Sequence, residues 1–195
     1  MAERQENDFY PTPDPLAVAI CERVAKLLPP HHFEVIEPSA GAGAFVRPLR
    51  EIWGLQPIIA IDIEPNVQAL RDAGADDVFK ADWVSWIQTY RIDGPTLVVG
   101  NPPFSLAKEH VLVGLDYLLP SSHICFLLKQ NFFGSRDRLS LWNQGQLRYF
   151  IPIIPRPSFV KGEKSSTDTN EYAVFIWEVG YSGKPTIELP HIVWK

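Results

Sequence analysis

This 195-residue sequence has little cysteine and no long apolar run. None of its apolar stretches approaches the roughly 20 residues that cross a bilayer, and its first residues are polar where a secretion signal would be basic and then apolar. We therefore expect no membrane partner and a cytoplasmic location. The two cysteines, Cys21 and Cys125, stand far apart in helix-like and strand-like apolar surroundings, which predicts buried, reduced thiols in a reducing compartment.

Motifs for metal binding and for serine nucleophiles are also missing. No Cys-X-X-Cys pair is present and the histidines lack metal-ligand spacing, so the sequence predicts no metal site. The histidines are His31, His32, His110, His123 and His191. Neither Ser105 nor Ser135 has the surrounding glycines of a nucleophile elbow, which argues against a hydrolase triad.

Charge is distributed unevenly along the chain. The net charge is −5, yet seven basic residues stand against two acidic ones between Lys129 and Lys164. The seven are Lys129, Arg136, Arg138, Arg148, Arg156, Lys161 and Lys164. Such a segment is typical of a positive face for a polyanion such as nucleic acid. Chance clustering on a solvated surface is the alternative, and charge alone does not decide between them.

Strand-like and helix-like segments alternate through most of the chain. Strands are predicted at 33–37, 57–62, 78–81, 96–100, 123–128, 149–154 and 172–177, and helices at 44–53, from 65, at 107–119 and at 135–144. This alternation predicts an α/β fold in which helices cover both faces of a mostly parallel, Rossmann-like, seven-stranded sheet. The last two strands are separated by about 17 residues without helical periodicity, which favours an antiparallel C-terminal hairpin. We find no linker and expect one domain over residues 1–195, without a separate target-recognition domain.

A glycine turn follows the first predicted strand, at the edge where open α/β sheets bind ligands. Its sequence is Glu37-Pro38-Ser39-Ala40-Gly41-Ala42-Gly43. Its glycines allow a tight turn and a close approach of the backbone to a ligand. Val46 stands where a dinucleotide fingerprint has its third small residue, and no Gly-Lys-Ser/Thr ending follows, so pyrophosphate and P-loop sites are disfavoured. A turn that only connects strand and helix is the alternative.

Acidic residues follow the second and third predicted strands. Asp62 ends the second strand, where an acid can accept both ribose hydroxyls of a nucleoside. After the third strand, Asp82 can accept from an adenine amino group, and Trp83 can cover the ring. Helix capping for the acids and core packing for Trp83 are the alternatives. Together with the glycine turn, these residues predict a pocket for an adenosine that has no phosphates and a cationic tail.

The tetrapeptide Asn101-Pro102-Pro103-Phe104 follows the fourth predicted strand. An exocyclic amino group on a nucleobase is a poor nucleophile because its lone pair is delocalised into the ring. The Asn101 side-chain carbonyl and the Pro102 backbone carbonyl can accept from its two N–H groups and make the nitrogen more reactive. The prolines keep the loop rigid, and Phe104 offers a stacking face worth roughly 1–3 kcal/mol per base. A simple turn is the alternative, but the position after this strand favours a site that acts on a planar amino nitrogen.

The glycine turn, Asp62, Asp82 and the Asn-Pro-Pro-Phe tetrapeptide resemble the motifs of class I S-adenosylmethionine-dependent methyltransferases, in particular the adenine-N6 DNA methyltransferases. The segment Asp8-Phe9-Tyr10-Pro11-Thr12-Pro13 resembles the motif that lies over the methionine end of the cofactor in those enzymes. The C-terminal stretches Arg156-Pro157-Ser158-Phe159, Thr167-Asp168 and 171–177 are similar to small adenine methyltransferases of the kind that phages carry.

This resemblance implies a class I methyltransferase fold and S-adenosyl-L-methionine as the cofactor. It assigns Asp62 to the ribose of that cofactor, and Asp82 with Trp83 to its adenine. The other cofactor-binding residues that it implies are Phe9, Tyr10, Thr12, Glu37, Ser39, Ala40, Gly41 and Gly43. The catalytic residues that it implies are Asn101, Pro102, Pro103 and Phe104.

We expect the substrate to be adenine N6 in DNA, with little intrinsic sequence specificity or with specificity supplied by a partner subunit or a second copy of the chain. The nucleic-acid contacts are expected at Arg136, Arg138, Arg156, Lys161 and Lys164. The alternatives are a protein glutamine amide, RNA or a free base as substrate, and a noncatalytic cofactor-binding subunit of a larger complex. The same two acceptors would serve cytosine N4, so the preference for adenine rests on the resemblance.

Overall fold

A mixed sheet organises the chain in this computed structural model, which describes residues 11–28, 33–157, 159, 170–189 and 191–194. Its strands are β1 (Glu34–Glu37), β2 (Ile58–Asp62), β3 (Asp77–Lys80), β4 (Thr96–Gly100), β5 (His123–Lys129), β6 (Leu147–Ile154), β7 (Tyr172–Glu178), β8 (Thr186–Ile187) and β9 (Ile192–Val193). Within the described residues the strand order is β3-β2-β1-β4-β5-β7-β6-β8, and β9 pairs with β6.

The first five strands form the parallel half of the sheet. Val35 of β1 pairs with Ile58 of β2 on one side and with Leu97 of β4 on the other. β1 and β4 are buried along their whole lengths, as expected for strands that are covered on both faces. The order of the strands reverses between β1 and β4, which opens a crevice at their carboxyl ends.

The last long strands form the antiparallel half. β7 lies between β5 and β6 and is antiparallel to both, so that Phe175 faces Phe126 on one side and Phe150 on the other. The antiparallel hairpin predicted at 149–154 and 172–177 is therefore confirmed. β8 and β9 are two-residue strands that pair in parallel with β6. The sequence did not predict them, because two residues are too few to show a strand pattern.

Helices cover both faces of the sheet. They are α1 (Asp14–Leu27), α2 (Val46–Trp53), α3 (Val67–Asp72), α4 (Trp83–Trp86), α5 (Ala107–Tyr117) and α6 (Leu139–Asn143). α1 and α2 pack together on one face, and α4 and α5 on the other. α6 is shorter than the helix predicted at 135–144, because the chain before it forms 3-10 turns at Gln130–Gly134 and Arg136–Arg138.

Helix α1 shows the amphipathic pattern of a surface helix. Leu16, Ile20 and Val24 recur every four residues and are buried. Cys21 lies on the same buried stripe, Cys125 lies in β5, and burial raises the pKa of both thiols. Within the described ranges, none of the helices has both the length and the apolar character needed to cross a membrane.

Candidate active site

The glycine turn lies at the crevice between β1 and β4 and has the backbone that its glycines allow. Gly41 and Gly43 have φ values of 51° and 83°. The Ala40 N–H donates to the Ile61 carbonyl at 2.9 Å, and the Gly43 N–H donates to the Ala40 carbonyl at 2.7 Å. The turn is thereby joined to β2 and folded tightly. A Cβ at Gly43 would lie 3.2 Å from Leu70 and 3.3 Å from Ala73, so any larger residue would require these neighbours to shift.

Asp62 joins the glycine turn to the end of β2. Its Oδ2 accepts from the Gly41 N–H at 2.7 Å, and its Oδ1 accepts from the Glu64 N–H at 2.9 Å. Each carboxylate oxygen can accept more than one hydrogen bond, so these contacts are compatible with a ribose partner. The structure brings Asp62 to the turn, and its contact with a ribose stays a prediction.

Glu37 is a buried acid at the base of the turn. Only 2% of its surface is exposed, and it accepts from the backbone N–H groups of Phe45 and Val46. Burial, followed by the nearby carboxylate of Asp62, raises its pKa well above the ordinary value. Its Oε2 has no hydrogen-bond partner among the described residues. A buried acceptor without a partner, next to a second acid, fits the cationic methionine end of S-adenosyl-L-methionine.

Asp82 and Trp83 follow β3, as predicted, but their side chains are engaged in the fold. The Asp82 Oδ2 accepts from both the backbone N–H and the hydroxyl of Ser85 at 3.0 Å, so Asp82 caps α4. Trp83 is only 1% exposed, and its Nε1 donates to the His110 carbonyl at 3.2 Å. Protein atoms therefore enclose the Trp83 ring in this structure, and its contact with an adenine stays a prediction.

His110 is a site residue that sequence reasoning passed over, since it was considered only as a metal ligand. It lies on α5, where its Nδ1 is 3.0 Å from the Leu106 carbonyl and its Nε2 is 3.4 Å from the Ser39 hydroxyl. Burial lowers the pKa of His110, so the neutral ring is favoured, with Nδ1–H donating to Leu106. His110 thus connects the glycine turn to the helix that follows the Asn-Pro-Pro-Phe tetrapeptide.

Asn101 follows β4 directly and contacts the segment before α1. Its Nδ2 donates to the Thr12 hydroxyl at 3.1 Å. Thr12 is 9% exposed and belongs to the segment predicted to lie at the cofactor. In this arrangement the amide oxygen Oδ1 lies on the side of the amide away from Thr12. The turn after Asn101 is closed by the Leu106 N–H, which donates to the Pro103 carbonyl at 2.9 Å.

Phe104 is half-buried in a group of aromatic and basic side chains. The centre of its ring is 5.9 Å from that of Tyr172 and 6.5 Å from that of Phe159. The Lys129 Nζ lies 4.9 Å from the centre of the Phe104 ring, a cation–π distance. The predicted stacking residue therefore borders the C-terminal half of the sheet, where the basic segment begins.

The predicted nucleic-acid contacts are divided between described and undescribed residues. Arg136 and Arg138 share a 3-10 turn, and Arg156 follows β6 with an exposed side chain. Lys161 and Lys164 lie outside the described residues, as do Phe9 and Tyr10 from the predicted cofactor site. In the part of the chain that the structure covers, no group of three or more His, Cys, Asp or Glu side chains could hold a metal ion.

One sequence relative aligns with about half of this chain. No family model matches this chain. The type II methyltransferase M.CvrRI from Paramecium bursaria Chlorella virus XZ-6E is 25% identical over 103 residues. Those residues are 52% of this chain and 26% of the viral protein, so the match spans about a quarter of that relative's length.

Solved structures share the fold at low sequence identity. A protein from Listeria monocytogenes, described as a class I S-adenosylmethionine-dependent methyltransferase, matches 98% of this chain and 67% of its own, with a TM-score of 0.66 and 13% identity. The methyltransferase subunit of a type I restriction-modification system from Streptococcus thermophilus matches 89% of this chain and 45% of its own, with a TM-score of 0.66 and 14% identity. This chain therefore has the class I S-adenosylmethionine-dependent methyltransferase fold, and its resemblance to the DNA methyltransferases of that class is confirmed.

Proposed function

We propose that this chain transfers a methyl group from S-adenosyl-L-methionine to an exocyclic amino nitrogen, namely adenine N6 in DNA. The observation that carries the proposal is the Asn101 amide at the carboxyl end of β4, held by Thr12 at 3.1 Å beside the crevice that contains the glycine turn. A turn that only connects two elements has no need for an amide oriented in this way.

The chemistry of the amino group explains why these residues are needed. The Asn101 Oδ1 and the Pro102 carbonyl accept from the two N–H groups of the target, which favours a pyramidal nitrogen with an available lone pair. The two prolines restrict the loop, so the acceptors are in position before the substrate binds. Positioning supplies most of the acceleration, because S-adenosyl-L-methionine, when bound, carries a methyl group already activated by its sulfonium.

The cofactor would be held by groups on three neighbouring strand ends. Glu37 offers a buried acceptor to the cationic end, the backbone of Gly41 and Gly43 allows close contact, and Asp62 can accept from the ribose. Asp82, with its capping role, stands at the end of β3 for the adenine amino group. Trp83 is left out of the proposal because its ring is enclosed.

DNA as the substrate is supported by the sequence match to a type II methyltransferase and by the basic residues near Phe104. The solved neighbour from Streptococcus thermophilus is named as a subunit of a restriction-modification system. We therefore propose that a partner subunit or a second copy supplies sequence specificity to this chain.

Incubation with tritiated S-adenosyl-L-methionine and separate pools of DNA, RNA and protein tests the proposal. We expect label in the DNA pool, recovered as N6-methyldeoxyadenosine after digestion to nucleosides. Label as N4-methyldeoxycytidine, as a methylated ribonucleoside or as methylglutamine would replace the adenine assignment. A protein that binds the cofactor but labels none of the pools would be the noncatalytic subunit.

A further inference from the structure

A small cleft lies beside Phe104 at the carboxyl end of β5. Its volume is about 50 Å³, and its lining residues are Phe104, Leu128, Lys129, Asn131, Phe132 and Arg138. We call it the β5 cleft. Because β4 and β5 are parallel neighbours, their carboxyl ends lie side by side, and the cleft is therefore next to the tetrapeptide that begins at Asn101.

The polar groups that line the β5 cleft are donors suited to an anion. Lys129 and Arg138 bring positive charge and Asn131 brings an amide, whereas no carboxylate is among the described lining residues. Asp137, next to Arg138 in the sequence, is paired with Lys108 at 3.0 Å. The donor set therefore favours a negatively charged group rather than a neutral base.

Arg138 is held in place before any ligand binds. Its Nη1 donates to the Phe132 carbonyl at 2.9 Å, and its guanidinium carbon lies 4.1 Å from the centre of the Phe132 ring. Phe132 is 4% exposed and packs edge-on against Phe175 and Trp177. A guanidinium has five N–H donors in a rigid fork that matches phosphate geometry, so one bond to Phe132 is compatible with a bidentate contact to an anion.

The size of the cleft limits what it can hold. A volume of about 50 Å³ is far below the roughly 300–1,000 Å³ of small-molecule pockets and matches about two water molecules at roughly 30 Å³ each. This size suits a small anionic group, such as a single phosphate, better than a whole nucleotide. We propose that the β5 cleft binds a backbone phosphate of DNA next to the target nucleotide, an inference that rests on the proposed function.

The test is the salt dependence of binding to a fluorescein-labelled, mixed-sequence DNA duplex. A protein that loses one phosphate contact shows a slope of log K against log salt that is smaller by about 1. We expect this change in Arg138→Gln, together with roughly tenfold weaker binding at low salt. Arg91→Gln is the matched control. Arg91 is exposed, pairs with Asp93 and precedes β4, so it lies toward the amino ends of the strands, whereas the β5 cleft lies at their carboxyl ends. Its slope should equal that of the wild type.

Lys129→Gln is the second variant, because it leaves the contact between Arg138 and the Phe132 carbonyl intact. Calorimetric binding of S-adenosyl-L-methionine reports whether each variant is folded. If Arg138→Gln fails to fold, the slope of Lys129→Gln decides, and a decrease of about 1 supports the inference. Unchanged slopes in the folded variants overturn it. A larger decrease of this slope for binding to an RNA strand of the same sequence would overturn the assignment to DNA.

Methyl transfer by the same preparations separates this inference from the proposed function. Wild-type protein that methylates adenine, with variants that keep the wild-type slope, would overturn the β5 cleft and leave the function intact. A slope that changes as expected in a protein that transfers no methyl group to DNA would support the phosphate subsite and sink the adenine methyltransferase proposal.

Discussion

Thr12 and Asn101 are 89 positions apart in the sequence, and their side chains meet at 3.1 Å. An asparagine amide has nearly the same shape when its oxygen and nitrogen are exchanged, so only its hydrogen bonds determine which of the two faces the substrate. In this structure the Thr12 hydroxyl accepts from Nδ2, which leaves Oδ1 on the other side of the amide. The resemblance assigned Thr12 to the cofactor, and from its contact with Asn101 we infer that it also positions the amide.

Replacing Thr12 by Val keeps the branched shape and removes the acceptor. We expect Thr12→Val to lower kcat by roughly 10- to 100-fold through a misdirected amide, with a smaller change in the affinity for S-adenosyl-L-methionine. Thr12→Ser, which keeps the hydroxyl, should restore most of the turnover. Steady-state kinetics and calorimetry measure the two quantities, and a loss confined to cofactor affinity would contradict the positioning role.

At the scale of elements, both backbone geometry and side-chain packing shape the glycine turn. Gly43 has φ of 83°, and a Cβ there would lie 3.2 Å from Leu70 and 3.3 Å from Ala73. Gly54, after α2, has φ of 67° with nothing within 4 Å of a Cβ. The two glycines therefore separate backbone strain from crowding.

We expect Gly54→Ala to lower the free energy of unfolding by roughly 1–3 kcal/mol, because φ of 67° with ψ of −104° is a backbone conformation that residues with a side chain rarely adopt. Gly43→Ala also places a side chain at a positive φ and requires Leu70 and Ala73 to shift, so it should weaken binding of S-adenosyl-L-methionine as the turn moves. Urea denaturation and calorimetry compare them. Equal losses of stability with unchanged cofactor affinity in both variants would show that Gly43 is an ordinary turn glycine.

The long strands and their order could be predicted from the sequence, because β2, β4 and β5 are mostly apolar runs. The longest helix that the structure describes, α1, was not predicted, although Leu16, Ile20 and Val24 recur every four residues. The positions of the candidate site residues after the strands were also predictable: Asp62, Asp82 and Asn101 stand at the ends of β2, β3 and β4. Side-chain partners were not predictable. The enclosure of Trp83 and the contact between Thr12 and Asn101 depend on how distant segments pack.

At the scale of the whole molecule, His110 connects the glycine turn to helices α4 and α5. It contacts the glycine turn through Ser39 and the start of α5 through Leu106, and its carbonyl accepts from Trp83 of α4. Burial lowers its pKa from the ordinary 6.5, although the Leu106 carbonyl, Asp82 and Glu109 act in the opposite direction. The folded protein therefore binds fewer protons at this site than the unfolded chain does.

This difference predicts a loss of stability in acid. The stability that His110 contributes is present above pH 6.5, its ordinary pKa, and is lost as the pH falls toward the lowered pKa of the folded state. The slope for one proton is at most about 1.36 kcal/mol per pH unit. We expect the free energy of unfolding of His110→Gln to fall less steeply than that of the wild type between about pH 7 and about pH 5, a range that brackets the ordinary pKa of histidine. Parallel curves from urea denaturation would rule this out.

The central claim is that Asn101 directs methyl transfer to adenine N6, and it is tested most directly by Asn101→Ala assayed on DNA with tritiated S-adenosyl-L-methionine. We expect the wild type to form N6-methyldeoxyadenosine and Asn101→Ala to form it at least roughly 100-fold more slowly, while calorimetry finds the cofactor bound with similar affinity by both proteins. Undiminished methylation by Asn101→Ala would contradict the account.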